Sequence, residues 1–310
     1  MGITVFGATF VDIKGYPTSQ YIPAGRNVGR VIQVHGGVGR NVAEDIANVE
    51  LRPTFVTVLD HTGTSKDVLL KLERHNIDTR YIVHTEDGLG KWLAVFDNNG
   101  DVVASISKRP DLSPIATVLE EKGDEIFAAA DSVVLEIDME VPLVKQIFAL
   151  AEKHHKDVYA VVSNMSIAVE RRDLLKKTGC VVCNLQEAGM LFSESYEDLT
   201  PEELCPILAR RIESAQIRRM IVTMGGQGAV YAEQDGPSGL CPPQKVDVID
   251  TTGAGDGFFS GVAIGLTYGK SLEEACRIGT RLAASVISTR ESVCPRFLPQ
   301  EFDLELPENL

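Results

Sequence analysis

The chain has 310 residues, with 44 acidic side chains against 30 basic ones and a formal net charge of −14. That acidity excludes a broad surface for a phosphate backbone, because a polyanion is repelled at long range, but it leaves room for a small anion in a local basic pocket. Apolar residues at 44% and charged residues at 24% suit one large globular domain or two ordinary ones, not a disordered chain.

In chain order, Ile3–Phe6 reads as a first buried strand. An excursion over residues 14–34 follows, punctuated by Pro17, Pro23, Gly25 and Gly29, and then Gly36-Gly37-Val38-Gly39-Arg40-Asn41 opens a helix over Val42–Val49. Phe55–Leu59 reads as a strand, and Ser65–His75 as a helix on its Val68, Leu69 and Leu72 spacing. Residues 88–108 carry two β-rich runs, Trp92–Phe96 and Val102–Ile106, joined by Asp97-Asn98-Asn99-Gly100-Asp101, a hairpin signal. Further strands are expected at Val133–Ile137, Val158–Val162, Val181–Cys183, Met220–Thr223 and Val246–Ile249. Helices are expected at Ile115–Ala130, Val141–His155, Val169–Lys177, Pro201–Ala215 and from Phe258 through Leu266. Buried β runs alternating with amphipathic helices predict an α/β fold, a mostly parallel central sheet covered on both faces. Segments 14–34 and 88–108 lack helices between their strands and are expected to form a small second sheet, a candidate lid. The end after Phe297, with four acids and no base, is expected to be solvated.

Six cysteines are too sparse for a disulfide scaffold. The N-terminus lacks the basic start and apolar core of a leader peptide. The longest uncharged run in the second half, Gly257–Gly269, is 13 residues, short of the ~20 a spanning helix needs. The expectation is a soluble cytoplasmic protein with no membrane or nucleic-acid partner.

Four segments carry chemistry. In Asp250-Thr251-Thr252-Gly253-Ala254-Gly255-Asp256-Gly257, a glycine turn opens a helix and aims free N–H groups at one point, an anion site. Asp256 there is either a general base acting on an attacking hydroxyl or an N-capping residue, and spacing alone leaves both readings standing. Gly257, Gly261 and Gly265 read as tight helix packing. In the Gly36–Asn41 segment, Asn41 can both donate to and accept from vicinal hydroxyls, although Gly-Gly turns are common. Met224-Gly225-Gly226-Gln227-Gly228 after a buried strand suits backbone near a flat ligand or phosphate, or a plain hairpin turn. Asn184-Leu185-Gln186-Glu187 suits organised Mg²⁺ waters, or simply an Asn/Glu helix start.

Together these segments resemble the ribokinase, or PfkB, family of carbohydrate kinases over nearly the whole chain. The resemblance implies a ribokinase-like fold and an ATP- and Mg²⁺-dependent kinase phosphorylating a sugar or nucleoside. It implies Asp256 as base, with Gly253, Ala254 and Gly255 as the anion hole. Asp12, Gly37, Arg40 and Asn41 would bind the acceptor, and Asn184, Thr223, Gly225 and Gly228 the nucleotide. Glu187 would hold Mg²⁺ through water, and Asp250 and Thr252 are candidates for a monovalent cation such as K⁺. Glu291-Ser292 stands where many relatives have Lys/Arg-Gly, and Val162-Ser163-Asn164 lacks their Asp-Pro. The β lid of the family often also forms a homodimer contact. Among its branches the Arg40 region and the hairpin after Trp92 look most like pseudouridine kinases. Free-sugar kinases such as those for ribose or fructose are the alternative, with a non-catalytic binder on the same scaffold as the other class.

Several motifs are set aside. Gly265–Ser271 has three residues between its glycines, not the four of a Walker loop, and reads as a helix junction. Cys180-Val181-Val182-Cys183 reads as a buried strand, and His154-His155 as a helix end.

Overall fold

The computed structural model describes residues 2–162, 164–304 and 306. Ser163 of the Val162-Ser163-Asn164 segment lies outside the described residues. The central sheet has eight strands, in the order Ser238–Cys241, Ala229–Glu233, Arg219–Thr223, Val181–Asn184, Val158–Val161, Ala130–Glu136, Gly2–Phe6 and Thr54–Val56. The six from Arg219–Thr223 onward run parallel, and the other two add an antiparallel edge.

Both faces of this sheet are buried, which is why its strands read as unbroken apolar runs. Phe6, Val133 and Leu135 pack on one side with Ile115, Phe127, Val144 and Leu208. Ile3, Val5 and Val134 pack on the other with Val42, Leu72, Phe258 and Leu282. On that second side the helices Ala254–Thr267 and Leu272–Ile287 meet through glycine. A Cβ on Gly261 would come within 2.6 Å of the Gly279 Cα, and one on Gly265 within 2.8 Å of the Ala275 Cα. Such backbone contact holds the first of these helices, and so its N-terminus, in one place.

A separate sheet orders Gly29–Gly36, Phe10–Pro17, Gly90–Phe96 and Val102–Lys108. The second excursion forms the hairpin expected, with Asp97 Oδ1 accepting from Asn99 N at 2.8 Å and Asp101 N at 3.0 Å. The first excursion begins earlier than residue 14, at Phe10, so Asp12 lies within the small sheet. Asp12 stands beside Trp92 in the parallel register and opposite Val34 in the antiparallel one, so all three share a face.

Four expectations need correction. Val246–Ile249 is irregular, because the sheet ends at Ser238–Cys241 and offers this run no partner; Val248 and Ile249 are 61% and 58% exposed. Phe55–Leu59 is split between Thr54–Val56 on the main sheet and Val58–Leu59, which pairs with Val83–His84. Val169–Lys177 breaks at Glu170-Arg171 into Met165–Val169 and Arg172–Leu175. The C-terminal end is not wholly solvated: Phe302 is buried, and Arg281 lies over the rings of Phe297 and Phe302.

The motifs set aside take the bland roles expected of them. Ser271 caps the helix Leu272–Ile287 at the junction after Thr267. Cys180 and Cys183 are buried free thiols, and burial pushes Cys180 up to about 12. His154 Nε2 meets Asp124 Oδ1 at 2.7 Å at its helix end.

Candidate active site

Two helices open through glycine at the C-terminal edge of the parallel strands, where open α/β sheets place their ligands. The helix Val38–Asn48 starts after Gly37, whose φ of 98° lies in the left-handed region. A Cβ on Gly37 would also sit 2.7 Å from the Ala8 carbonyl, so only glycine fits the turn. The helix Ala254–Thr267 starts after Gly253, with φ 83° and the Ser292 carbonyl packed where a Cβ would go. A Cβ on Gly255, by contrast, would meet nothing within 4 Å. The space next to this helix N-terminus is therefore open, as an incoming anion requires. Gly255 itself is helical, and the left-handed turn residue is Gly253.

The two helix mouths are bonded together. Asn41 Nδ2 donates to Asp256 Oδ2 at 2.6 Å. Asn41 Oδ1 accepts from Arg40 Nη2 and, at 3.3 Å, from Ser292 Oγ, which fixes the direction of the amide. Burial pushes Asp256 up to about 6, with the Asn41 hydrogen bond and the Arg40 charge offsetting part of the rise. A carboxylate poised there is still largely ionised at neutral pH and takes up a proton readily, the property a general base needs.

Asp12 lies against Gly36, where a Cβ would meet either carboxylate oxygen at 2.7 Å. Burial raises its pKa, against the Lys14 and Arg40 charges. Arg40, expected to face the acceptor, is turned inward and is 1% exposed. Its guanidinium pairs with Glu44 at 2.7 Å and donates to the His35 carbonyl at 2.6 Å and Ser292 Oγ at 3.2 Å. Arg40 thus orients Asn41 and presents no open face of its own. Lys108 and Arg109, the other cations that could meet a phosphorylated acceptor, pair with Asp87 at 2.5 Å and Asp138 at 2.8 Å.

Two carboxylates escaped the sequence reading. Glu136, at the end of its strand, accepts from Ala8 N at 3.0 Å and Gly39 N at 2.6 Å, clamping the first strand's loop to the helix mouth. Burial pushes it up to about 8, and Asp138 adds to the rise. The only sequence signal was one acid inside the apolar run Val133–Ile137. Asp45 accepts from Cys294 N at 2.7 Å and Ser260 Oγ at 3.2 Å, and burial pushes it up to about 7.

Asn184, Glu187, Thr223, Gly225 and Gly228 form a second cluster on neighbouring strand ends. Asn184 stands beside Thr223 in the parallel register. Asn184 and Glu187 build a reciprocal capping box, at 2.9 Å from Glu187 N to Asn184 Oδ1 and 2.8 Å from Asn184 N to Glu187 Oε2. Glu187 Oε1 makes no hydrogen bond among the described residues. Cβ atoms on Gly225 and Gly226 would meet nothing within 4 Å, so the loop after Thr223 leaves its backbone accessible, whereas Gly228 packs on the Cys241 carbonyl. No hydrogen bond among the described residues links this cluster to Asp256. Asp250 Oδ1 accepts from Thr252 N at 2.9 Å. Among the described residues, no group of three or more His, Cys, Asp and Glu is arranged to hold a metal. No helix among them is long and apolar enough to cross a membrane.

A mostly parallel α/β sheet, a small separate sheet and a carboxylate at a glycine-opened helix mouth define the class: a phosphotransferase of the kinase type. The chain belongs to the pfkB family of carbohydrate kinases, whose profile matches residues 2–295. It is thus a sugar or nucleoside kinase that uses ATP. It is 33% identical to the guanosine-inosine kinase of Exiguobacterium acetylicum, over 96% of this chain and 98% of that one. It is 24% identical to the pseudouridine kinase of Escherichia coli K12, over 92% and 90%. The Arabidopsis thaliana ribokinase solved with ribose and ATP shares the ribokinase-like fold, with a TM-score of 0.82 at 18% identity over 99% of each chain.

Proposed function

We propose that the enzyme transfers the γ-phosphoryl group of ATP to the 5′-hydroxyl of a nucleoside, with purine nucleosides of the guanosine and inosine type preferred. The observation that carries the chemistry is the 2.6 Å bond from Asn41 to Asp256 at a mouth whose next glycine, Gly255, opens on free space. Asp256 takes the proton from the attacking hydroxyl. The N–H groups of Gly253 and Gly255, with the helix dipole behind them, stabilise charge on the transferring group, whereas the Ala254 N–H, expected to join them, donates to the Thr251 carbonyl at 3.3 Å. Asp12 and Asn41 hold the ribose hydroxyls, and Gly37 lets the backbone approach them. Arg40 acts through Asn41.

Thr223, Gly225 and Gly228 line the nucleotide side with Asn184. Mg²⁺ keeps several waters and binds through few carboxylates plus phosphates, so Glu187 is suited to hold it through water. It would supply charge neutralisation on the phosphates. Asp250 and Thr252 are the residues that would hold a monovalent cation, a role tested by comparing rates in KCl and choline chloride.

Support for a nucleoside comes from the 33% identical relative and from a cavity of about 190 Å³ beside Ala8 and Phe10. Glu136, the Arg109–Asp138 ion pair and Arg171, which donates to the Ile137 and Met139 carbonyls, give it a polar wall suited to the edge of a base. Pseudouridine is the second reading, carried by the 24% identical relative. The test is kcat/KM for guanosine, inosine, pseudouridine, ribose and fructose with ATP and Mg²⁺. Guanosine or inosine should lead by about tenfold or more. A free sugar leading by that margin would leave the kinase class standing and remove the nucleoside assignment.

The small sheet is proposed as a lid that closes on the acceptor, because Asp12 and Trp92 share one of its faces. Hydrogen exchange with acceptor should protect residues 10–36 and 90–108; protection elsewhere only would remove that role. The other face of the sheet leaves Val31 and Ile106 70% and 71% exposed, which supports a homodimer through it. Six free cysteines suit a cytoplasmic setting.

A further inference from the structure

The helix Val38–Asn48 offers Asn41 to Asp256 near its N-terminus and Ala47 and Asn48 to a second cleft at its C-terminal end, roughly 10 Å along the axis at 1.5 Å per residue. This cleft is about 830 Å³, within the ~300–1,000 Å³ of small-molecule sites. Its charged lining is Arg52, Lys71, Arg74 and Arg296 against Glu50 and Glu291, the reverse of a chain with 30 bases and 44 acids. Glu50 is spent on Arg296 Nε at 2.6 Å, and Lys71 reaches the buried Glu44 at 3.0 Å. Arg52 and Arg74 make no ion pair among the described residues. Two guanidinium groups without counter-ions among the described residues, lining one cleft on an acidic protein, suit phosphate oxygens, which they meet with paired N–H donors.

We propose that this cleft is a second ligand site for a small anion bearing two or more phosphate charges, and that its occupancy lowers turnover at Asp256. Two chains of bonded groups run from the cleft to the base. In the first, Lys71 and Arg40 share Glu44 at 3.0 and 2.7 Å, Arg40 donates to Asn41, and Asn41 donates to Asp256 at 2.6 Å. Burial pushes Glu44 up, but the Arg40 and Lys71 charges outweigh it and hold the carboxyl below its ordinary value. An anion that draws Lys71 away leaves Arg40 as the remaining cation on this buried carboxylate. Arg40 is then pulled toward Glu44 and off the Asn41 amide it orients.

In the second chain, His75 Nδ1 meets Asn48 Oδ1 at 2.8 Å, and Asn48 Nδ2 donates to the Cys294 carbonyl at 2.6 Å. Cys294 N donates to Asp45 at 2.7 Å, and Ser260 Oγ lies 3.2 Å from that carboxylate and 2.7 Å from the Asp256 carbonyl. The loop through Ser292 and Cys294 also covers the Gly253 turn, so the wall of the cleft continues into the catalytic turn.

The test is calorimetric titration of inorganic pyrophosphate in excess Mg²⁺, with the catalytic mouth already filled by a non-hydrolysable ATP analogue and acceptor. A parallel titration with guanosine 5′-monophosphate separates a free polyphosphate from a nucleoside phosphate as the natural occupant. One site per chain is expected, weakening with added salt. The exposed double variant Arg52→Gln/Arg74→Gln should bind at least about tenfold more weakly while keeping wild-type kcat and Tm without anion. In steady-state assays the tighter of the two anions should lower kcat of the wild type at saturating ATP and acceptor, and not that of the variant. Absence of saturable binding by both anions, or equal binding by the variant, overturns the site. Binding with no change in kcat overturns the coupling to Asp256.

Discussion

Asn41 and Asp256 stand 215 positions apart in the sequence, yet the amide of one lies 2.6 Å from the carboxylate of the other. Each sits in the first turns of a helix opened by glycine, and the bond ties the residue proposed to hold the acceptor directly to the proposed base. Replacing Asp256 with Asn keeps the shape and removes the base. We expect kcat to fall about 10²- to 10⁴-fold, with Tm and ATP binding near wild type. A variant keeping more than half of kcat would remove Asp256 from the proton transfer.

Asn41→Ala should change the pH profile and not only the rate. The Asn41 hydrogen bond lowers the pKa of Asp256, partly offsetting the effect of burial that brings it to about 6. Without that bond the value rises, and the acidic limb of kcat/KM moves toward neutral pH. The loss should therefore be greater at pH 6 than at pH 8. A limb that stays in place would mean that the titrating group is not Asp256.

Gly253 and Gly255 should respond in opposite ways. Gly253→Ala puts a Cβ into the Ser292 carbonyl at a left-handed φ of 83°, and strain alone costs about 1–3 kcal/mol of stability. At Gly255 an added Cβ would meet no atom within 4 Å beyond its own helix turn, and Gly255→Val should fold with stability within about 1 kcal/mol of wild type. Its side chain fills the proposed phosphoryl space, and a displacement of that kind costs about 10²-fold in kcat. Unchanged kcat in Gly255→Val would show that phosphate does not sit there.

Glu136→Gln should stabilise the protein at pH 8 and do little at pH 5. The carboxyl of Glu136 is raised to about 8 in the folded chain, chiefly by burial. The protonated group therefore favours folding at low pH, and that contribution is lost as pH rises from the ordinary carboxylate value toward 8. Gln stays neutral throughout and avoids the loss. Thermal melts at both pH values decide; a lower Tm at pH 8 would mean that the ionised clamp on Ala8 and Gly39 is itself stabilising.

The glycine turns were legible because their geometry excludes other residues: Gly37 and Gly253 announce a left-handed turn wherever they stand before a helix. The sheet was legible because strands buried on both faces cannot hide their apolar runs. Glu136 and Asp45 were not, since their partners lie 128, 97 and 249 positions away and a lone buried acid leaves no local pattern. Arg40 misled for the same reason: its place beside Asn41 was visible, but the inward turn toward Glu44 depends on packing that spacing does not encode. Val246–Ile249 had strand composition without a strand to pair with, and composition alone does not make a sheet edge.

Phosphoryl transfer from ATP to a nucleoside hydroxyl, with Asp256 as base, is tested by following the phosphorus itself. Wild type and Asp256→Asn are incubated with γ-³²P-ATP, Mg²⁺ and guanosine or inosine, and the products are separated. Wild type should place label in the nucleoside 5′-monophosphate, and the variant about 10²-fold less or lower. Label confined to inorganic phosphate, or equal transfer by both proteins, would contradict this.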